Sequence, residues 1–419
     1  ESIDIDEASK NDAQRADALD MADQLRAIAE QQQGQAHYSP CRARIGLSNV
    51  VGIVNNTIYC LTDMGRPQTA LTLQETVGML ADALGPDHPH TLATRGNLAI
   101  AYRESGNLQK AIDMYEALLP DFTRVFGPDH PHTLGTRSNL ALAHQQAGQL
   151  STAIDMHQAL LTDHTRILGP DHPHTLTTRN NLALAYRESG NLQKAIDMFE
   201  DVLTDRTRLL GPDHPHTLIA RNNLALAHQD AGHLSTAIDM HQALLTDRTR
   251  FLGPDHPHTL TTRNNLAAAH QDAGQLSTAI DMHQALLTDH TRILGPDHPH
   301  TLATRINLAA TYYAAGDLQK AIDIFEDVLA DCTRLLGPDH PDTLATRGNL
   351  AAAYYAAGDL QTAINICEAL LPDLTRLLGP NHPHTLATRN NLAAARNEAR
   401  QASSPHTDGE AESAPPPES

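Results

Sequence analysis

Eight residues, Gly-Pro-Asp-His-Pro-His-Thr-Leu, run from Gly85 to Leu92. They return at Gly127, Gly169, Gly211, Gly253, Gly295, Gly337 and Gly379, each time 42 residues after the last. Two copies carry one change each: Asp342 replaces the second His, and Asn381 replaces the Asp. A fixed period of this size marks a stacked array of like units. It overrides the two or three globular domains that 419 residues would otherwise imply. Such an array grows by adding units and needs no single large core. Aromatic residues are only 3% and Trp is absent, which favours closely packed helix pairs over a β-sandwich or barrel.

The unit that begins at Gly169 reads as two helices. Gly169-Pro170-Asp171 is a turn. Pro173 suits the first position of a helix, where its missing N–H is not needed, and Asp171 or His172 can cap the exposed amides. Helix A then runs to about Ser189, with Leu176, Leu182, Ala183 and Tyr186 on one face. Gly190 ends it. Helix B starts at Leu192, carries Ala195, Ile196, Phe199, Val202 and Leu203 as its apolar face, and stops before Gly211. Each helix has roughly four to five turns and the two run antiparallel. Helix B comes in two versions. One is Leu-Ser-Thr-Ala-Ile-Asp-Met-His-Gln-Ala-Leu-Leu, in the repeats from Gly127, Gly211 and Gly253. The other is built on Leu-Gln-Lys-Ala-Ile-Asp, in those from Gly85, Gly169 and Gly295.

The flanks differ. In residues 1–44 the stretch Glu7–Gln33 is expected to be helical, with Leu19, Ala22, Leu25, Ile28 and Ala29 in one stripe; it reads as an N-terminal capping helix or the end of an upstream domain. Residues 45–84 are a worn repeat: Gly65 matches Gly106 and Ala70 matches Ala111. Its first helix, about Leu47–Asp63, is more apolar than later copies. Residues 85–400 are the regular array, seven full units and a C-terminal capping helix over about His384–Arg400. Residues 401–419, rich in Ser, Pro, Glu and Ala, are expected to be disordered.

A net charge of −20 argues against nucleic-acid binding, which needs clustered Lys and Arg. No apolar run is long enough for a membrane span. Cys41, Cys60, Cys332 and Cys367 are scattered without metal spacing; they read as free thiols in a reducing, cytoplasmic setting. Of the 26 His, 15 lie in the repeated link. A His-x-His pair such as His172 and His174 fits helix entry better than metal, because zinc needs three or four ligands and equivalent pairs on neighbouring helix pairs lie roughly 10 Å or more apart. Ser, His and Asp recur by repetition and form no single break in the pattern, and no phosphate-cradling Gly loop is present. No enzyme activity, cofactor, metal or small-molecule substrate is therefore expected. Charging of the His would carry the net charge towards zero and lower solubility at about pH 5–6.

The sequence Asn181–Tyr186, Gly190, Ala195 and Phe199, with the Gly-Pro-Asp-His-Pro link, resembles the tetratricopeptide repeat, specifically the 42-residue variety of kinesin light chains and their bacterial relatives. The likeness covers about residues 45–400. It implies an all-α, right-handed α-solenoid of tandem helix-turn-helix units, with helix A lining a concave groove in which an extended or helical segment of a partner protein lies. The helix A Asn that holds the partner backbone in that family corresponds to Asn97, Asn139, Asn181, Asn223, Asn265, Asn307, Asn349 and Asn391. The alternative role for these amides is to bond their neighbours along the array. Selectivity is expected from later helix A positions: Arg103, Gln145, Arg187, Gln229, Gln271, Tyr313 and Tyr355. The chain departs from the family in two ways. Tyr186 becomes His144, His228 and His270 in other repeats, and an apolar residue early in helix A is Arg, as at Arg137 and Arg179. The heptad segment that joins light chains to their motor is not visible, so the implied role is protein interaction. A second reading, by family analogy, is the sensor arm of a larger bacterial signalling protein with an upstream nucleotide-binding switch domain.

Overall fold

The computed structural model describes residues 40–64, 66–380 and 382–403, with side chains from 49 onward. The expected helix at 7–33, Gly65, and most of the 401–419 segment lie outside these residues. Among them are eighteen helices and no strand. The chain divides into two compact halves, Glu1–Thr262 and Arg263–Ser419.

The first half opens with α1 (Pro40–Asp63), α2 (Pro67–Leu71) and α3 (Gln74–Leu84). Regular pairs follow: α4 (Pro89–Glu104) with α5 (Leu108–Phe126), α6 (Pro131–Gln146) with α7 (Leu150–Leu168), α8 (Pro173–Glu188) with α9 (Leu192–Leu210), and α10 (Pro215–Asp230) with α11 (Leu234–Leu252). The division falls within α12 (Pro257–Asp272), which is followed by α13 (Leu276–Leu294), α14 (Pro299–Ala314), α15 (Leu318–Leu335), α16 (Pro341–Ala356), α17 (Leu360–Leu378) and α18 (Pro383–Ser403). These tandem pairs are the units of an α-solenoid.

Three boundaries differ from the sequence reading. The first helix begins at Pro40, ahead of Leu47. The second helix of the worn repeat is in two pieces, because Thr72 N and Leu73 N bond three residues back, each at 3.2 Å, and tighten the chain there. That turn places Leu73 in the core with Val54, Ile58 and Leu80. At the other end α18 continues to Ser403, into the segment expected to be disordered.

Every residue type in the link has a local reason. Gly169 closes α7 at φ 90° and ψ 164°, backbone that a side chain resists. His172, and not Asp171, is the N-cap: its Nδ1 accepts from His174 N at 3.2 Å. Asp171 instead accepts from Arg208, at the end of helix B of the same repeat, at 2.7 Å. Thr175 Oγ1 donates to Gly169 O at 2.8 Å and so ties the new helix to the turn before it. The second His packs beside the first, with the rings of His172 and His174 tilted by 32° and their centroids 5.3 Å apart.

Inside each repeat the core is small and repeated. Phe199 is fully buried, among Leu182, Ala183, Tyr186, Ala195 and Ile196 and against Leu224 and Ala227 of the next repeat. Burying such a side chain contributes about 2–3 kcal/mol. Fully buried Ala183, Ala185, Ala225 and Ala227 let the helices approach closely. The Arg that stands where an apolar residue was expected early in helix A is a bridge between the helices of one repeat: Arg137 to Asp163 at 2.6 Å, Arg179 to Asp205 at 2.8 Å, and Arg305 to Asp331 at 2.6 Å. Neighbouring repeats are also stitched by hydrogen bonds, as from Gln284 Nε2 to Tyr312 OH at 2.7 Å.

Candidate functional site

The helix A asparagines fall into two groups. In the first half, Asn97 Nδ2 donates to Asn55 Oδ1 at 3.0 Å, and Asn223 Nδ2 donates to Asn180 Oδ1 at 3.0 Å. In the second half, Asn307 Nδ2 donates to Asn264 Oδ1 at 2.8 Å. These amides bond along the array, as the alternative sequence reading had it, and Asn265 is also engaged. Asn139, Asn181, Asn349 and Asn391 meet no side-chain partner among the described residues. The reason lies one position before the Asn of the preceding repeat. Asn180 and Asn264 supply an amide oxygen there, whereas Gly96, Ile306 and Gly348 have none to offer Asn139, Asn349 and Asn391. Ser138 stands at that position ahead of Asn181 and makes no such bond. Asn139 and Asn181 are half-buried, and Asn349 and Asn391 are exposed.

A second row of contacts runs through the positions expected to select a partner. Arg103 pairs with Glu104 beside it at 2.6 Å. Gln145 bonds Glu188 of the next repeat. Arg187 Nε lies 3.0 Å from Asp230 Oδ2. Gln271 Oε1 accepts from Thr311 Oγ1 at 2.6 Å. Tyr355 bonds Glu398, which pushes its phenol up from the ordinary value. Gln229 is engaged as well, and Tyr313 is exposed. Much of the polar lining is thus already committed to the adjoining repeat, and Asn139 and Asn181 are the uncommitted amides of the first half's row.

At the N-terminal end of that half a cavity of about 340 Å³ brings Asn97, Ile100, Arg103 and Glu104 together with Tyr59, Thr62 and Asp63. The last three escaped the sequence reading. They belong to the worn repeat, where Tyr59 takes the register of Ile100 and Asp63 that of Glu104, at the offset that aligns Gly65 with Gly106. Stepping back 41 residues from Ile100 would have found Tyr59, whereas its exposure is a property of the folded chain.

The histidines do not titrate as one population. Burial pushes His157, His241 and His283 down to about 4, so they stay neutral through pH 5–6 and take no part in the charge loss expected there. Cys60 is exposed, whereas Cys332 and Cys367 are buried free thiols pushed up by desolvation. No described helix is long and apolar enough to cross a membrane.

A family profile described as "Tetratricopeptide repeat" matches residues 53–122, 109–162, 135–206, 236–289, 262–331, 319–372 and 349–404. No curated protein sequence matches the chain. Among solved structures, a Podosopora anserina putative kinesin light chain of nearly identical TPR-like repeats is 29% identical over 49% of this chain and 97% of its own, with TM-score 0.42. BtubC (BKLC) from P. vanneervenii is 21% identical over 57% of this chain and 93% of its own, with TM-score 0.41. The Rap conjugation gene regulator of the plasmid pLS20, solved in complex with the Phr* peptide, is 14% identical over 79% of this chain and 98% of its own, with TM-score 0.51.

Proposed function

This chain belongs to the tetratricopeptide repeat family, and on that premise we propose that it is a protein-interaction scaffold whose helix A surface holds an extended or helical segment of a partner protein. The observation that carries the proposal is the pair of uncommitted, half-buried amides at Asn139 and Asn181. Each offers a donor and an acceptor at the spacing of one repeat, which suits a peptide backbone. Leu142 and Leu184, half-buried one turn further on, provide apolar contact beside them. The Rap regulator has the same fold and was solved with a peptide; that ligand is the regulator's own, and at such identity the likeness extends to the fold alone.

A peptide-display library panned against the full chain, with calorimetry on the selected peptides, tests the proposal. Losing one amide contact costs about 1 kcal/mol, so Asn139→Ala/Asn181→Ala should weaken binding roughly 30-fold. Asn223→Ala removes an amide already spent on Asn180 and should leave affinity within about twofold. Circular dichroism checks that each variant remains helical. Equal affinities for both variants and the parent would refute capture by these amides.

A further inference from the structure

One position of helix B sets the centre of each repeat. Tyr115, Phe199 and Phe325 fill it in three repeats and are 0–1% exposed. In the repeats from Gly127, Gly211 and Gly253 the same register brings His157, His241 and His283, exposed by 0%, 0% and 1%. Neither ring nitrogen of any of the three has a hydrogen-bond partner among the described residues. A phenyl ring needs none and Tyr115 leaves one hydroxyl unmet, whereas each buried imidazole leaves two polar atoms unmet, and its protonated form would carry a charge into a site closed to solvent. We propose that acid opens this array locally, at the repeats cored by His157, His241 and His283, while those cored by Tyr115, Phe199 and Phe325 stay packed.

The surroundings offer the protonated rings no relief. Burial alone acts on His157 and His283, and at His241 the Arg248 guanidinium adds repulsion. Helix A of the same repeats carries His144, His228 and His270 in the register of Tyr186. The carboxylates in reach serve these outer histidines: Glu116 Oε1 is 4.0 Å from His144 Nε2, and Glu200 acts on His228. His228 also meets His233 at 3.1 Å, and His270 meets Gln275 at 2.5 Å. Seven residues further along helix B the three repeats bury His164, Arg248 and His290, which bring more potential cations. Around His164 stand His172, His174, Arg137 and Asp163, and around His290 stand His298, His300, Arg263 and Asp289. With buried rings at about 4 against 6.5 when exposed, each His shifts its repeat towards the open form by roughly 20-fold between pH 7 and pH 5. Repeats in an array open as partly independent units, so the shift remains local. Opening at His157 would also displace Asn139; that consequence rests on the binding function proposed above, whereas the opening does not.

Amide exchange of the full chain at pH 7 and pH 5, corrected for intrinsic rates, is the test. Protection in α7, α11 and α13 should fall by roughly 20-fold, with α5 and α15 changing much less. His157→Phe/His241→Phe/His283→Phe places at each site the ring that already fits at Phe199; it should abolish the acid loss in α11 and reduce it in α7 and α13, where His164 and His290 remain. The wild-type comparison of α7 with α5 needs no variant, and His241→Phe alone should protect α11 without protecting α7. A uniform loss across α5, α7, α11, α13 and α15, or acid sensitivity unchanged by the His→Phe variants, would overturn the proposal.

Discussion

A single methyl group, added at two glycines, separates backbone strain from packing in this array. Gly169 lies at φ 90° and ψ 164° between α7 and α8, while Gly135 sits within α6. A Cβ at either position meets nothing within 4 Å. Neither substitution therefore creates a clash, and the backbone alone decides the outcome. Gly169→Ala forces a side chain into a conformation that costs on the order of 1–3 kcal/mol. Gly135→Ala replaces a poor helix former with the best one and should stabilise by about 0.5–1 kcal/mol. The two variants should thus differ by about 1.5–4 kcal/mol although their contacts are the same. The strain acts where Gly169 N donates to Thr165 O at 3.1 Å and Gly169 O accepts from Thr175 at 2.8 Å. Opening should therefore be felt at the end of α7 and the first turn of α8. Native-state amide exchange across that junction should accelerate roughly 5- to 150-fold in Gly169→Ala and slow slightly in Gly135→Ala. Equal exchange in the two variants would refute the view that the link glycine is required for its φ.

Four other outcomes can be checked. Phe199→Ala should cost about 3–5 kcal/mol in urea unfolding, since the ring is fully buried and its neighbours span two repeats. His172→Ala should cost about 1 kcal/mol through loss of the cap to His174 N, and His172→Ser should recover most of it, read by amide exchange in α8. Asp129→Asn should leave the melting temperature unchanged at physiological salt, because the Asp129–Arg166 pair is exposed and Asp163 remains beside Arg166. Arg166 holds the Asp129 carboxyl below its ordinary value, so whatever that pair contributes is present above the ordinary 3.8 and is lost as pH falls through the depressed folded value. Finally, iodoacetamide followed by mass spectrometry should modify Cys60 well before Cys332 and Cys367, whose thiols are buried and pushed up.

The sequence by itself determined whatever depends on neighbours along the chain. The turn at Gly169, the helix start at Pro173, the end near Gly190 and the apolar faces holding Leu182 and Phe199 were all legible. Each rests on a φ requirement, a missing N–H or a 3.6-residue period. The break in the worn repeat was harder to see, because it arises from two short hydrogen-bonded turns that place Leu73 in the core. The roles of polar side chains were settled only by partners far away in the chain. Asp171 looked like a cap until Arg208 was seen to claim it. Arg179 looked like a departure until Asp205 stood opposite. The row of asparagines was legible as a row. Which of its amides are spent and which are open depends on whether the preceding repeat offers Asn180 or Gly96. In the same way, the His in Met-His-Gln-Ala-Leu-Leu gave no sign in the sequence that its ring would be sealed without a partner. Burial and hydrogen-bond satisfaction are properties of the packed array, and one repeat does not carry them alone.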